Sequence, residues 1–394
     1  MTREVVFVGA ARTAIGSFGG ALKDVPPADL GALVIKTALE RAGVQAKDVG
    51  HVVMGNVIPT VPQDAYISRV AALNAGVPQE APAFNVNRLC GSGLQAVVSA
   101  AQAILLGDCD VAIGAGAESM SRGAYLVTSN RWGARMGDVK MLDFMLGALH
   151  DPRLHIHMGI TAENVAARYE ISREQQDAYA TQSQQRAAAA IEAGRFKDQI
   201  VPVELKTRKG VVLFDTDEGV KADTTADALG KMKPAFKKEE GTVTAGNAST
   251  LNDGAGAVVM ASAEKAKALG LKPLARLVSY AHAGVEPEYM GIGPVPASKL
   301  ALEKAGLKVS DLDLIEANEA FAAQACAVSK EMGFPNDKTN PNGSGISLGH
   351  PVGATGAILV TKAIYELQRT GGRYALITMC IGGGQGIAMV IERV

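Results

Sequence analysis

Tryptophan occurs once in the 394 residues, aromatic residues make up 5 %, and cysteine appears four times. The four cysteines, Cys90, Cys109, Cys326 and Cys380, are far apart. They form no CxxC pair and have no His or Cys at zinc-ligand spacing, so neither a disulfide framework nor a metal centre is expected. Reduced thiols fit a cytoplasmic setting best. Charge of one sign is missing too: 39 basic and 40 acidic residues give a net charge of −1, which advertises no nucleic-acid partner. Long hydrophobic runs are scarce. The opening MTREVVFVGAARTAIG reads as a first strand and a turn rather than a signal peptide, and no later stretch reads as a bilayer span. Asn247-Ala-Ser matches the glycosylation triplet, which means little without a secretory signal.

Glycine and small aliphatic residues are abundant: 44 residues are Gly and 47 % are hydrophobic. That composition describes a large α/β protein with many tight turns, long enough for two domains. The chain also repeats itself. TALERAGVQAKDVGHVVMGN, from Thr37, recurs as LALEKAGLKVSDLDLIEANE, from Leu300. Carried along, the repeat sets the segment starting at Cys90 roughly opposite the one starting at His350, each a helix start feeding a helix and then a strand. β-branched runs such as EVVFVGA, VAIGA and YALITM alternate with Ala/Leu-rich helical stretches, which predicts parallel sheets buried on both faces. Residues 121–250 break the pattern with loops, one polar helix (SREQQDAYATQSQQRAAAAIEAG) and a Gly/Asn segment, and read as a loop domain inserted over a site. The halves are then 1–120 plus 251–272, and 273–394. If a pseudo-twofold axis relates them, Cys90 and His350 meet near it.

Cys90 lies in NVNRLCGSGLQA, between an extended run and a helix. A helix N-terminus favours thiolate over thiol, so a lowered pKa is expected, and its free N–H groups can hold an oxyanion. A lone cysteine is more often a small buried hydrophobe; the flanking glycines and the helix start argue for the nucleophile. His350, in NGSGISLGHPVGATGA, holds the matching position, where a general base is needed. Cys380 ends the strand YALITMC before IGGGQG, and ligands bind at such strand ends. That glycine run follows neither the P-loop nor the dinucleotide fingerprint, so nucleotide-hydrolysing and dinucleotide readings are poor. Asn318, in IEANEAFAAQ, could simply cap the following helix. His157 and Met158 could be loop-to-helix packing.

NRLCGSG, NEAFA, GHPVGATG and MCIGGGQG stand in one order, with AARTAIGSFGG, GAESMS and TAGNAS around them. The set resembles the thiolase family over essentially the whole chain. The resemblance implies the thiolase fold, α/β with duplicated halves forming a five-layered αβαβα core. It implies that Cys90 attacks an acyl thioester while His350 takes the thiol proton. Cys380 then removes the α-proton of a second acetyl-CoA, and the enolate oxygen rests on His350 and a water held by Asn318. The N–H groups of Cys90 and Gly382 would hold the tetrahedral oxyanion. No prosthetic group is implied; coenzyme A enters as substrate. Positions matching the CoA site are Leu149, His157, Met158, Lys221, Met232 and Phe236 on the loop domain, then Ala245 and Ser249, and Ala320 and Phe321. Met290 matches the acyl pocket. Lys221 and Ala228 stand where relatives commonly carry Arg and Ser, which costs the planar guanidinium.

His157-Met158-Gly159 and Met290 resemble the short-chain branch, including the bacterial β-ketothiolases that supply polyhydroxyalkanoate synthesis. The implied partners are acetyl-CoA, acetoacetyl-CoA and short 3-ketoacyl-CoA, with no nucleic acid and no membrane. A homotetramer built as a dimer of dimers is also implied, with RWGARMGD from Arg131 as a contact loop. A broader-range degradative 3-ketoacyl-CoA thiolase remains open. So do a ketoacyl-acyl-carrier-protein synthase, in which the second cysteine is usually histidine, and a non-catalytic carrier or scaffold on the same fold.

Overall fold

A computed structural model describes residues 3–208 and 210–394. Its first strand, β1 (Val5–Arg12), is buried along its whole length, as an apolar run without alternation requires. Helix α1 (Pro27–Ala42) starts on a proline, whose missing N–H costs nothing there, and stops at Gly43, in the left-handed region at φ 67°. Then follow β2 (His51–Gly55), α2 (Ile67–Asn74), β3 (Ala83–Val86), α3 (Ser92–Leu106) and β4 (Val111–Ser119). The loop domain contributes two long helices, α4 (Met158–Arg168) and α5 (Arg173–Glu192). Ser172 and Gln175 close a capping box at the start of α5, a motif that stabilises a helix by about 1 kcal/mol.

The chain returns to the core with β5 (Asn252–Ser262), β6 (Ala275–Gly284) and α6 (Pro294–Ala305). Like α1, α6 starts on proline and ends at a left-handed glycine, Gly306. It ends with β7 (Leu314–Ala317), α7 (Ala322–Met332), α8 (Thr355–Thr370), β8 (Tyr374–Ile381) and β9 (Gln385–Arg393). One offset maps α1, β2, α3 and β4 onto α6, β7, α8 and β8, which is the duplication seen in the sequence.

The strand order is β7-β8-β9-β6-β1-β5-β4-β2-β3, with the short strand Gly16–Ser17 paired to β5. The order reads the same from both sides of the β1–β6 junction apart from the extra edge strand β3. At that junction only Val6 and Phe7 pair with Arg276 and Ala275, so two half-sheets meet at a narrow seam. Helices α3 and α8 lie between the half-sheets and share one apolar cluster with β1, β5, β8 and β9. Helices α1 and α2 cover one outer face, and α4, α6 and α7 the other. These are the five layers αβαβα.

Two expectations are corrected. The sheets are mixed: among the described strands of the central sheet β2–β3, β2–β4 and β7–β8 pair in parallel, whereas β5 and β9 run antiparallel to their neighbours. A central strand buried on both faces looks alike in either sense, and the β8–β9 hairpin through 382–384 escaped the periodicity argument. Second, Leu89–Leu106 is long and apolar enough to cross a membrane by composition. In the fold this stretch is the turn that carries Cys90 and α3, a core helix packed between the half-sheets.

The central helices approach closely at their N-termini. A Cβ on Gly356 would lie 2.0 Å from the Leu94 nitrogen, and one on Gly93 2.8 Å from the Ala357 nitrogen. Glycine at both positions lets the two turns converge on one place.

Candidate active site

The offset that maps α3 onto α8 sets Gly353, not His350, opposite Cys90, so the two residues are not strict counterparts, although both line one cavity. Cys90 is held on a strained turn. Leu89 before it adopts φ 46°, uncommon for a side chain with a Cβ. Ser92 clamps the turn: its hydroxyl accepts from the Arg88 N–H at 2.8 Å and donates to the Leu89 carbonyl at 2.6 Å. Asn87 adds a third tie, accepting from the Leu89 N–H at 2.9 Å.

The backbone N–H groups of Gly382 and of Cys90 itself act to lower the Cys90 thiol pKa. The expected drop in thiol pKa does not follow. Burial dominates and pushes Cys90 up to about 11, with Glu118 adding to the rise against those two N–H donors. Cys380, on β8 and fully buried, is raised well above the ordinary thiol range by burial and by its proximity to Cys90.

His350 is fixed at three points. Its N–H donates to Asn252 Oδ1 at 2.8 Å. Gly349, at φ 112°, leaves no room for a Cβ beside the Asn252 amide. The ring Nδ1 lies 2.6 Å from the Thr355 hydroxyl, which lies 3.0 Å from the Pro351 carbonyl. A carbonyl only accepts, so the hydroxyl proton goes to Pro351 and the hydroxyl oxygen accepts from Nδ1–H. The neutral ring therefore keeps its lone pair on Nε2, which faces the Asn318 Nδ2 at 3.5 Å. Burial pushes the His350 pKa down to about 4, so the ring is neutral near pH 7.

Asn318 is not a helix cap: α7 begins at Ala322 with Phe321 in the cap position, and the Asn318 N–H donates to the Thr378 carbonyl on β8.

Cys90 and His350 open on one cavity of about 540 Å3, walled mainly by apolar side chains. Leu149, His157, Met158 and Phe236 line it, as do Ala245, Ser249, Ala320, Phe321 and Met290, with Lys221 at the exposed mouth. Cys380, Asn318 and Gly382 are not among the residues that line it. Met232 does not line the cavity; its sulfur lies over Gly246. Ala228 sits in the short helix Ala226–Gly230, outside the lining as well. His157 does double duty. It caps α4 by accepting from the Gly159 N–H at 2.9 Å, and its ring stacks on Phe236 at 4.7 Å. Among the described residues no group of three His, Cys, Asp or Glu stands close enough to hold a metal ion.

Sequence reasoning missed four supports: Ser92, Asn252, Thr355 and Glu118. Glu118 is wholly buried, and its carboxylate accepts from the Asn56 side chain, the Val57 and Ile58 N–H groups and the Gly353 N–H. It thereby joins the 56–58 loop of one half to the His350 loop of the other. Burial raises its pKa to about 8 against those N–H donors. Its signal was the acid in GAESMS, an ionisable residue inside an otherwise apolar strand.

Residues 5–264 match the thiolase N-terminal domain and residues 271–393 the thiolase C-terminal domain. The chain belongs to the thiolase family. It is 69 % identical to the beta-ketothiolase BktB of Cupriavidus necator over the full length of both proteins. It is 55 % identical to an acetyl-CoA acetyltransferase of Chromobacterium violaceum, over 99 % of this chain and all of that one. The fold matches a crystal structure of human mitochondrial 3-ketoacyl-CoA thiolase in complex with CoA, with a TM-score of 0.97 and 45 % identity over 100 % of this chain and 98 % of that one. A Bacillus anthracis acetyl-CoA acetyltransferase fits equally well, at 47 % identity over 100 % of this thiolase and 99 % of that chain.

Proposed function

We propose that this thiolase joins acetyl-CoA to acetyl-CoA or another short acyl-CoA, giving a 3-ketoacyl-CoA, and runs the reverse cleavage with free CoA through an acyl-Cys90 intermediate. The observation that carries this reading is that Cys90 and His350 line one cavity, with the Nδ1 proton of His350 held by Thr355 so that the ring lone pair is on Nε2.

With the thiol near 11 and the imidazolium near 4, the resting pair is neutral. The proton passes from Sγ to Nε2 only as the sulfur attacks the thioester carbonyl and negative charge moves to the oxygen, where the N–H groups of Cys90 and Gly382 receive it. CoA leaves with the proton from His350. In the second half-reaction the Cys380 thiolate takes the α-proton of acetyl-CoA and the enolate oxygen is held by His350 and by a water on Asn318; the carbanion attacks the acyl-cysteine carbonyl, the C–S bond to Cys90 breaks to release the 3-ketoacyl-CoA, and the proton passes from Cys380 to the freed Cys90 sulfur.

A carrier-protein synthase is the weaker reading, because such enzymes usually place histidine where Cys380 stands. A short-chain preference is supported by Met290 and Met158 on the cavity wall. Four free thiols support a reducing, cytoplasmic setting. The apolar side chains of Trp132 and Met136, 89 % and 97 % exposed, support the homotetramer; a monodisperse monomer by analytical ultracentrifugation would refute it.

The deciding experiment compares CoA-dependent cleavage of acetoacetyl-CoA, 3-ketovaleryl-CoA and a longer 3-ketoacyl-CoA by wild type and Cys90→Ser. Wild type should prefer the short esters. The variant should lose more than about 10³-fold in turnover with its melting temperature unchanged, because a serine hydroxyl is far from ionised at this site. Turnover of no ester by wild type would return the chain to the carrier or scaffold reading.

A further inference from the structure

AARTAIGSFGG, at the start of the chain, has no part in the chemistry above. Arg12, the last residue of β1, is wholly buried. Its Nη1 and Nη2 donate to the two carboxylate oxygens of Asp217 at 2.7 and 2.9 Å, its Nε donates to Gln199 Oε1 at 2.8 Å, and the guanidinium lies 4.9 Å from the centre of the Phe196 ring. Arg12 belongs to the core, whereas Gln199 and Asp217 belong to the loop domain. A fork-to-fork pair of this kind fixes orientation as well as distance.

The segment after Asp217 is stitched to the turn after Arg12. Asp217 Oδ1 accepts from the Ile15 N–H at 2.9 Å, and the Glu218 N–H donates to the Ile15 carbonyl at 3.0 Å. The Glu218 carboxylate accepts from the Ser17 N–H at 2.8 Å and from the Ala21 N–H at 3.2 Å. The two stitched strands of chain supply one wall of the cavity: Ser17 and Phe18 from the turn, and Glu218, Gly219 and Lys221 from the loop domain. Lys221 is the one Lys or Arg among the described residues of that lining, so this wall is where phosphate charge would be met. The acid beside it, Glu218, has its carboxylate engaged by backbone donors.

We propose that the Arg12–Asp217 pair is a positioning device for the nucleotide end of the CoA carrier, holding residues 17–18 and 219–221 as one wall across the domain junction. The proposal rests on the CoA reading above. It predicts that the pair affects binding of the carrier and leaves chemistry at Cys90 alone.

The test is steady-state thiolysis by wild type, Asp217→Asn and Arg12→Lys, with acetoacetyl-CoA and CoA, and in parallel with the truncated pair acetoacetyl-N-acetylcysteamine and N-acetylcysteamine, which lack the nucleotide. Asp217→Asn leaves a buried guanidinium without its counter-charge; should it fail to fold, Arg12→Lys, which keeps the charge and loses the fork, reads the same contact. In the variants KM for the CoA substrates should rise about fivefold to tenfold with kcat within about twofold, and kcat/KM for the truncated pair should match wild type. Equal losses on both pairs, or an unchanged KM for the CoA substrates, would overturn the proposal. Wild type inactive on both pairs would instead defeat the CoA reading itself.

Discussion

Helices α3 and α8 hold equivalent places in the two halves, and the offset that superposes them brings Ser92 onto Thr355, yet the two hydroxyls do different work. Ser92 binds only backbone, tying the Arg88 N–H to the Leu89 carbonyl and so holding the strained turn that presents Cys90. Thr355 also binds backbone, at Pro351, but its second bond is to the His350 ring. In one half the hydroxyl fixes where a side chain starts. In the other it fixes which nitrogen carries the proton. The duplication supplied two convergent helix N-termini, and one shared hydroxyl position was turned to two ends, geometry at the nucleophile and protonation at the base.

The largest effect after loss of Cys90 itself should come from Cys380→Ala, which removes the second base while leaving both turns intact. It should still release about one equivalent of CoA from acetyl-CoA on acylation, whereas condensation falls about 10²-fold to 10³-fold. Rapid-quench measurement of CoA release separates the steps. Equal loss of both would mean that Cys380 also serves the first.

Burial of His350 sharpens the comparison through pH. The folded pKa is about 4 and the unfolded value 6.5, so between these limits the unfolded chain binds a proton that the folded chain refuses. The contribution of His350 to stability is therefore fully present above pH 6.5 and is lost as pH falls toward 4, by about 3 kcal/mol in all. Glu118 runs the other way: its folded pKa of about 8 exceeds the ordinary value of 4.5, so its contribution is full below 4.5 and is lost as pH rises through 8. Denaturant melts of wild type and His350→Gln isolate the first effect, because the stability difference between them should shrink against wild type from pH 6.5 to 4. A pH-independent difference would place the ring in water.

Much of this was written in the sequence, because it depended on local signals. The duplication follows from a repeat in the chain, and the placing of Cys90 and His350 on one cavity agrees with the turn residues beside each. What stayed hidden depends on groups distant in sequence. Asn252 on β5 holds His350, and Glu118 on β4 holds Gly353. The sense of β5 and β9 could not be read from strands apolar on both faces. The direction of the Cys90 shift was misjudged because the helix N-terminus was visible and the burial that outweighs it was not.

A smaller effect is expected at Thr355. In Thr355→Val the shape is kept and the acceptor for Nδ1–H is lost, so the ring can place its proton on Nε2 and present no base to Cys90. The expected result is a fall of about tenfold in kcat with KM nearly unchanged. Thr355→Ser, which restores the oxygen, should recover most of it. A Val variant with wild-type kcat would show that Asn318 alone orients the ring.

Ser92→Ala closes the series. The same deletion in the other half leaves the Arg88 N–H and the Leu89 carbonyl without the hydroxyl, which should cost about 1 kcal/mol of stability. Nothing in it touches the proton on His350, so the pH dependence of kcat/KM should keep its wild-type shape while its height falls only a few-fold. Thr355→Val should do the reverse, moving the acid limb with a smaller change in melting temperature. The pair of variants thus separates the two uses of one inherited position: if both changed the pH profile alike, the hydroxyls would be doing the same job, and the contrast between the halves would reduce to the identity of the side chains they present.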